Sequence, residues 1–434
     1  MSAVGVLAGL VLWASPLGGE PEVDERAPDA APASRESSDD QPIPIRVVRL
    51  EGNRRTRSNT LLELLPRQPP TSYRRSELVE LERRINNLGI FDVVAVRVDG
   101  DELVIAVREK FTLTPSIEFA TGRSLEDTEG SIGATEYNFL GRASELGIVV
   151  GREQRGPVAW AWYSEHALHP RHWAFVVAAG IDRASLRFGA DPERPDASWY
   201  RDRGTVEVGW RTPYGYGRLP LRYEVGAFYG RELIEREAGT FAPPDGHNVG
   251  TWMAFTWDRY TWRDLVPEGF RVRLLARPGW YLPEGTARLT INPSLLAALP
   301  LGKLTVLTTR TAYELVSEGN VNHSALIGSH GGVRGLADAF YRNRQQVFSN
   351  VELRHALKFA DRWALQLVAF ADGAAFEPMD MRGRATSWKA AIGSGAGVRL
   401  IPTFLTQLLV RADLARLYVP EQGWFLQVGV TQYF

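Results

Sequence analysis

The chain has 434 residues, and its 50 Lys and Arg residues nearly cancel its 51 Asp and Glu residues, for a formal net charge of −1. Such a balance provides no broad basic surface, so we expect no nucleic-acid partner. The chain contains no Cys, which excludes thiolate chemistry and disulfide bonds. No stretch approaches the roughly 18 consecutive apolar residues of a membrane helix, so a chain that crosses a membrane must do so as a closed β-barrel.

The N-terminal residues resemble export and linker segments. Residues 3–15 form an apolar run followed by Pro16, which predicts a signal-peptide-like segment over residues 1–19. No Lys or Arg precedes the run, and a disordered apolar tail is the alternative interpretation. Residues 20–42 are rich in Pro, Ala, Ser and acidic residues, and they predict a disordered linker.

Residues 43–110 predict a small α+β domain with the order β-α-α-β-β. The first strand ends in a turn at Gly52, and Ser58 stands at the N-cap position of a short helix. A second helix ends at Gly89 and carries one apolar face. That face consists of Leu78, Leu81, Ile85 and Leu88. Two strands with alternating apolar residues follow, joined by a turn at residues 99–101.

Residues 111–434 consist of alternating segments of about ten residues with turn residues between them, which is the pattern of a membrane β-barrel. In the first segment, Phe111 to Phe119, every second residue is apolar and the residues between them are polar. We count about 16 such segments, which predicts a mainly β fold with an antiparallel transmembrane barrel of about 16 strands. A soluble β-propeller or sandwich is the competing fold class, but a propeller would need a blade repeat, and the sequence shows none.

The connections between these segments alternate between short and long, as in barrels with short periplasmic turns and longer outer loops. The predicted short turns lie at residues 141–143, 168–171, 300–302 and 358–362. The predicted long polar loops lie at residues 187–201, 232–247 and 377–388. Residues 258–269 are an exception, because they form a long connection on the short side.

One connection is long enough to indicate a function of its own. Residues 317–345 lie between the eleventh and twelfth predicted strands and contain the sequence Val333-Arg334-Gly335-Leu336. This sequence resembles the loop-six motif of the BamA/TamA outer-membrane assembly superfamily, with Leu336 in place of the usual aromatic residue.

The resemblance to that superfamily extends over nearly the whole chain after Pro42. Residues 43–110 look like a single polypeptide-transport-associated (POTRA) domain. The second helix of such domains typically ends in a Gly-x-Phe step, which is present here at residues 89–91. Residues 136–141 (EYNFLG) are similar to the turn that follows the second barrel strand of the family.

Two further family motifs are present with departures. Phe370 and Asp372 resemble the Phe-x-Asp-x-Gly motif of the thirteenth barrel strand, but the final Gly is displaced to Gly373. The terminal Phe434 resembles the aromatic residue of the outer-membrane targeting signal. Gln432 departs from that signal, since an apolar residue is usual two positions before the end.

The resemblance implies that the long loop folds back into the barrel, where Arg334 meets acidic groups of the inner wall. Strand alternation permits this arrangement, because Glu352 and Asp372 fall on the lumen-facing sides of two neighbouring segments. A guanidinium can serve both carboxylates through its several donors. The alternative is a solvated Arg334 with unrelated acidic residues on the wall.

Other patterns are weaker. The glycine-rich segment Gly393–Gly397 is similar to a phosphate-binding loop, but it lies inside a strand pattern, where glycines more often make room for a closely packed loop. His166, His169 and His172 cluster in a predicted turn without the spacing of a metal site. No catalytic motif stands out. We therefore expect no enzymatic activity, no catalytic residues, no metal site and no cofactor.

The resemblance implies an assembly or insertion factor in the bacterial outer membrane, with the POTRA domain in the periplasm. The implied partners are the outer-membrane lipid bilayer, unfolded outer-membrane or secreted protein clients, and accessory lipoproteins. A client would be received at the exposed sheet edge of the POTRA domain and inserted at the seam between residues 111–119 and 424–434.

Two alternative functions remain open. One is a two-partner-type secretion pore for a dedicated protein, a branch that usually carries two POTRA domains and an N-terminal plug helix. The single domain and the helix-poor linker count against it. The other is a passive channel, which would not need the Arg334 loop.

Overall fold

The structure is a computed structural model that describes most of the chain between residues 41 and 430. The described residues are 41–86, 88–121, 128–165, 173–188, 197–212, 221–239, 241–263, 265–282, 284–317, 321–328, 332–336, 341–360, 362–402, 404–406, 408–420 and 422–430. The predicted segment 1–19, nearly all of the linker 20–42, the three clustered histidines and Phe434 lie outside these residues. Among the described residues, no helix is long and apolar enough to cross a membrane.

The N-terminal domain contains a three-stranded sheet, a two-stranded sheet and two helices. Its elements are β1 (Ile43–Ile45), β2 (Val47–Glu51), α1 (Ser58–Leu62), β3 (Thr71–Tyr73), α2 (Arg75–Asn86), β4 (Phe91–Asp99) and β5 (Glu102–Glu109). The larger sheet has the order β2-β5-β4, with β2 parallel and β4 antiparallel to β5. The predicted helices and main strands are all present, and the short strands β1 and β3 pair separately.

The core of this domain lies between α2 and the three-stranded sheet. Helix α2 turns its predicted apolar face inward, so that Leu81 and Ile85 are completely buried and Leu78 is nearly so. Leu88 follows the helix and is buried in the same core. The chain then reverses at Gly89, whose φ of 69° is a left-handed conformation that glycine adopts without strain.

Helix α1 begins differently from the prediction. Arg57 occupies the N-cap position and makes no side-chain capping hydrogen bond. Ser58 is instead the first helical residue, and its hydroxyl lies 3.3 Å from Asn53 Nδ2, which donates to it. The first turn of α1 is stabilised from outside the helix, by the contact with the barrel described below.

The rest of the chain forms one closed antiparallel barrel of 16 strands, as predicted. Its strands are β6 (Leu113–Ala120), β7 (Glu129–Phe139), β8 (Ser144–Glu153), β9 (Gly156–Ser164), β10 (Ala174–Phe188), β11 (Ala197–Arg211), β12 (Leu221–Ala238), β13 (Gly246–Asp258), β15 (Val266–Leu282), β16 (Thr286–Pro300), β17 (Thr305–Val316), β19 (Arg342–Ala360), β20 (Trp363–Pro378), β21 (Lys389–Pro402), β22 (Val410–Val419) and β23 (Gly423–Val430). Two short pieces, β14 (Thr261–Arg263) and β18 (Ala325–Leu326), lie in connections and pair with β15 and β19.

The barrel strands alternate between an apolar outside and a polar inside. On β20, Trp363 and Leu367 are exposed on the outside, whereas Gln366 and Asp372 are buried in the lumen. On β6, Ile117 is likewise half exposed on the outer face. Large apolar side chains in this position suit a hydrocarbon environment, because in a bilayer they contact lipid instead of water.

Several strands are longer than predicted at the end of the barrel opposite the N-terminal domain. Strand β12 extends to Ala238 and takes in much of the segment 232–247 that the sequence predicts to be a loop. Strands β10 and β11 likewise extend into the predicted loop 187–201. At residues 235–237 of β12 both faces carry polar residues, so the alternation that reveals a strand disappears there. The upper parts of β10 and β11 instead turn apolar residues such as Leu186 and Trp199 inward.

The short turns lie at the end of the barrel that carries the N-terminal domain. Those predicted at residues 141–143, 300–302 and 358–362 connect β7 to β8, β16 to β17 and β19 to β20. The turn predicted at residues 168–171 lies outside the described part of the chain. The long exception at residues 258–269 contains β14, which folds back on the start of β15.

The turn between β7 and β8 attaches the barrel to the N-terminal domain. The carbonyl oxygen of Gly141 accepts hydrogen bonds from the Arg57 amide at 2.8 Å and from Thr60 Oγ1 at 3.0 Å. Asn138 Nδ2 donates to Thr56 Oγ1 at 2.9 Å. Ala143 is completely buried in the core of the domain. The domain is therefore held by this turn as well as by the covalent connection to β6.

We predict that Leu81→Ala lowers the unfolding free energy of the isolated domain, residues 43–110, by about 2–5 kcal/mol, because the side chain is completely buried. Urea denaturation followed by circular dichroism measures the change. Val79→Ala is the matched control on the same helix: Val79 is 64% exposed, and its loss should cost under about 0.5 kcal/mol. Equal effects of the two substitutions would contradict the described core.

We predict that Gly141→Ala loosens the attachment of the domain to the barrel. Gly141 has a φ of 72°, and a Cβ there would lie 2.4 Å from the Arg55 carbonyl oxygen. Gly100→Ala is the matched control, because Gly100 has a φ of 62° and open space around it. Hydrogen exchange of the Arg57 and Ala143 amides should accelerate in the first variant only. Unchanged exchange in Gly141→Ala would mean that the turn does not hold the domain.

Candidate functional site

The long connection between β17 and β19 enters the barrel. Its described parts are residues 317, 321–328, 332–336 and 341, and they include a short 3₁₀ helix at Val321–His323. Val333, Arg334 and Leu336 are at most 1% exposed. The loop motif predicted from the sequence therefore lies in the lumen and not in outside solvent.

The backbone of the motif requires a glycine at position 335. Gly335 has a φ of 92°, and a Cβ there would lie 2.7 Å from the ring of Phe425. The following residue, Leu336, stands where the motif that this sequence resembles usually has an aromatic side chain. It packs with Val333 in an apolar cluster that includes Phe348 and Phe376. This cluster holds the loop on the wall formed by β19 and β20.

Arg334 binds both acidic residues that the sequence indicated. Its Nε and Nη2 donate to the two carboxylate oxygens of Asp372 at 2.7 and 2.8 Å, and its Nη1 donates to Glu352 Oε1 at 2.7 Å. The backbone amide of Arg334 donates to Asp372 as well, at 3.1 Å. All three side chains are buried, and the bidentate contact with Asp372 fixes the orientation of the guanidinium.

The face of the guanidinium is covered by an aromatic ring. The Arg334 guanidinium carbon lies 3.4 Å from the centroid of the Phe370 ring, a cation–π contact. Gly395 on β21 makes room for this ring, since a Cβ there would lie 2.5 Å from it. Phe370 and Asp372 thus both contact Arg334 from one strand, although the final Gly of their motif is displaced.

The glycine-rich segment Gly393–Gly397 is part of strand β21, as the alternation indicated. A Cβ on Gly393 would lie 3.4 Å from the Arg334 carbonyl oxygen. A Cβ on Gly397 would lie 1.9 Å from Asp413 Oδ1. These glycines make space for the loop and for the charged groups beside it.

Sequence reasoning missed four members of the cluster around Arg334. They are Asn350, Arg354, Arg399 and Asp413. Arg354 Nε donates to Glu352 Oε2 at 2.7 Å. Arg399 Nη2 lies 3.2 Å from Asp413 Oδ2, and Arg334 Nη1 lies 3.5 Å from the same oxygen. The alternation of apolar and polar residues places all four on lumenal faces. It does not reveal which strands lie beside each other in the barrel and so bring the four side chains together.

Asn350 connects the loop backbone to the acidic residues. Its side-chain amide donates to the Gly332 carbonyl oxygen at 2.6 Å and to Asp372 Oδ1 at 2.9 Å. The cations Arg334, Arg354 and Arg399 balance the anions Glu352, Asp372 and Asp413 in this cluster. A buried ion costs several kcal/mol unless counter-charges and hydrogen bonds compensate it, and this balanced set provides both.

The loop has a second attachment on the opposite wall, which the sequence did not indicate. Trp199 Nε1 on β11 donates to Asn322 Oδ1 at 3.1 Å. Arg201 donates to the Asn322 carbonyl oxygen, and His323 Nε2 contacts the carboxylate of Glu232 on β12. The loop is therefore attached to two opposite walls and spans the lumen between them.

Comparison with known families and proteins gives matches to both parts of the chain. A family model described as "POTRA: Surface antigen variable number repeat" matches residues 43–110. Outer membrane protein assembly factor BamA from Neorickettsia risticii (strain Illinois) is 27% identical over 116 residues. That match covers 26% of this chain and 16% of the relative, so it spans about one sixth of that protein's length.

Similar solved structures cover most of the chain. BamA from Haemophilus ducreyi lacking POTRA domains 1–3 matches with a TM-score of 0.54 and 14% identity, over 89% of this chain and 84% of that one. CdiB from Acinetobacter baumannii has a TM-score of 0.63 at 10% identity, over 89% and 73%. CdiB from Escherichia coli has a TM-score of 0.59 at 10% identity, over 92% of both chains. At such identities the likeness shows a shared fold.

We predict that Arg334 and Asp372 are energetically coupled. In a double-mutant cycle of Arg334→Ala and Asp372→Ala, the coupling in the unfolding free energy of the detergent-solubilised barrel should be about 0.5–3 kcal/mol. Arg334→Lys should restore little, because a point charge cannot make the bidentate contact. Arg271→Ala, which breaks a pair with Asp258 on other strands, should be additive with Asp372→Ala. Additive effects of Arg334→Ala and Asp372→Ala would rule out the coupling.

Proposed function

We propose that this chain, a BamA/TamA-type protein with one POTRA domain followed by an outer-membrane β-barrel of 16 strands, is an assembly and insertion factor for outer-membrane proteins. In this proposal the POTRA domain lies in the periplasm and receives unfolded clients. The barrel then provides the site of their insertion into the bilayer. The proposal involves no catalytic step, nucleotide or cofactor.

The observation that carries the proposal is the seam where the first barrel strand meets the last. Within the described residues, β23 and β6 pair at three positions, Gln427 with Ala120, Val428 with Phe119 and Gly429 with Glu118. On its other side, β6 pairs with β7 along its whole length, Leu113–Ala120. Since β6 and β23 are separated by the rest of the barrel sequence, this seam can open without breaking a connection between neighbouring strands.

Once the seam opens, the edge of β6 is suited to add a client strand. Its backbone amide and carbonyl groups can pair with an incoming strand of almost any sequence, which explains tolerance for many clients. The seam faces the bilayer, since Phe119 and Leu426 are exposed on the outer surface. A client hairpin that pairs there would already have its apolar side toward lipid, and burial of that side supplies the driving force.

The POTRA domain supports the first step of the proposal. Strands β2 and β4 are the outer strands of its three-stranded sheet. Val47 on β2 and Val93 on β4 are exposed by 57% and 44%. An extended client segment could pair with such an outer strand and place its own apolar side chains beside these valines.

The alternative function, a two-partner-type secretion pore, would pass one protein through the lumen. In the described structure the loop spans the lumen and is held by Arg334 on one wall and by Asn322 on the other. A secreted chain could pass only after both attachments had been released. Insertion at the seam does not require a free lumen, and the observed arrangement therefore favours it.

We predict that depletion of this protein lowers the abundance of several outer-membrane barrel proteins, measured by quantitative proteomics of the outer-membrane fraction. The intact chain supplied from a plasmid should restore them, and the Arg271→Ala chain should do so as well. The Arg334→Ala chain should restore them poorly. If barrel proteins stay at their normal levels while one secreted protein disappears, the secretion pore is the correct function.

A further inference from the structure

Three residues in a row connect the last two strands of the barrel to the first. Arg411 on β22 is directly opposite Gly429 on β23, and Gly429 is directly opposite Glu118 on β6. Arg411 Nη2 lies 2.6 Å from Glu118 Oε1. The Arg411 side chain is 2% exposed, and that of Glu118 is 23% exposed. This ion pair therefore joins strands on either side of the seam.

Gly429 leaves the space that the ion pair needs. A Cβ at this position would lie 2.9 Å from Arg411 Nε and 3.3 Å from its Nη2. The guanidinium of Arg411 thus passes directly over the backbone of β23 on its way to β6. Any larger residue at position 429 would displace it.

The same arginine is connected to the cluster that holds the loop. Arg411 Nη1 lies 3.6 Å from Asp413 Oδ2, and this oxygen lies 3.5 Å from Arg334 Nη1. Arg399 is directly opposite Arg411 in the β21–β22 ladder, and two like charges in such positions repel each other. Asp413 lies close to all three guanidinium groups and reduces that repulsion.

We propose that Arg411 and Glu118 form a latch that holds the seam closed, and that Arg334 controls its strength through Asp413. With Arg411 and Glu118 included, the network contains four arginines and four carboxylates. The latch rests on the geometry of these residues, whereas its use during client insertion rests on the proposed function. Arg411 and Glu118 are positioning residues in this proposal.

The direction of the effect follows from the charges. When the loop withdraws, Glu352, Asp372 and Asp413 each lose a cation. Arg411 Nη1 already lies 3.6 Å from Asp413 Oδ2, and the Arg411 guanidinium is then drawn toward Asp413 and away from Glu118. Release of the loop therefore weakens the latch and favours opening between β23 and β6.

Hydrogen exchange at the seam tests the latch on the purified, intact protein without any client. The Thr121 amide donates across the seam to the Leu426 carbonyl oxygen at 3.2 Å, so its exchange reports opening. Glu118→Gln and Gly429→Ala should each accelerate this exchange about fivefold or more, as expected for the loss of a charge-assisted hydrogen bond. Gly204→Ala is the glycine control, because a Cβ on Gly204 meets nothing within 4 Å. Glu207→Gln is the charge control, because it breaks a pair with Arg277 elsewhere in the barrel.

The coupling to the loop has its own readout. Arg334→Ala should accelerate the Thr121 exchange by a similar factor, and adding Glu118→Gln to it should change little further. Phe119→Cys with Val428→Cys, two opposite positions in a chain without other cysteines, should form a disulfide that suppresses the acceleration in every variant.

Two results would overturn the proposal. If the Thr121 amide exchanges at the wild-type rate in both Glu118→Gln and Gly429→Ala, the latch does not exist. If the increases in Thr121 exchange rate caused by Arg334→Ala and by Glu118→Gln multiply in the double variant, the loop does not control the latch. A failure of the proposed function would leave these exchange rates unchanged, because the measurement requires no client.

Discussion

The position of the loop depends on the cost of removing a guanidinium charge from water. Arg334 is almost completely buried, and without counter-charges that burial would cost several kcal/mol. The compensating carboxylates come from three strands, with Glu352 on β19, Asp372 on β20 and Asp413 on β22. The stagger of these strands brings the three carboxylates together and so determines where the loop binds. The bound loop in turn stabilises that stagger. Without Arg334, the acidic residues would face one another with one cation fewer.

Small residues on the wall are the second requirement of this arrangement. Strand β21 has glycine at 393, 395 and 397. A Cβ at 395 or 397 would collide with the Phe370 ring or with Asp413, and a Cβ at 393 would lie 3.4 Å from the Arg334 carbonyl oxygen. Glycine lowers the intrinsic stability of a strand, so this wall gives up local stability for close packing. The same exchange occurs at Gly429, where the missing side chain gives Arg411 its path to β6. The packing of charged and aromatic side chains inside this barrel therefore depends on glycines at the neighbouring wall positions.

The sequence predicted the features that depend on short-range periodicity. Alternation identified the strands and assigned Glu352 and Asp372 to the lumenal face, and the helical pattern of Leu78, Leu81 and Ile85 identified the buried side of α2. The resemblance of residues 333–336 to a family motif indicated Arg334 as the residue that meets these carboxylates. These patterns are local, because a strand repeats every two residues and a helix about every 3.6 residues whatever surrounds them.

What the sequence did not predict depends on contacts between distant strands. Alternation places Asp413 on the lumenal face, but only the stagger of the closed barrel brings it beside Arg399 and Arg334. The attachment of Asn322 to Trp199 joins residues on opposite sides of the lumen, and no local pattern signals it. The upper part of β12 was missed because both of its faces are polar there, so that strand and loop look alike in composition.

The two-point attachment of the N-terminal domain has a mechanical consequence. The domain continues covalently into β6 and is also bonded to the turn at Asn138–Ala143, which joins β7 to β8. A force on the domain is therefore not absorbed by a single flexible hinge. It acts as a torque on a panel of three strands, β6 to β8, and the outer edge of this panel is the edge of β6 that pairs with β23. Tilting of the domain would therefore move β6 relative to β23, so that a force applied to the domain reaches the line along which the barrel closes.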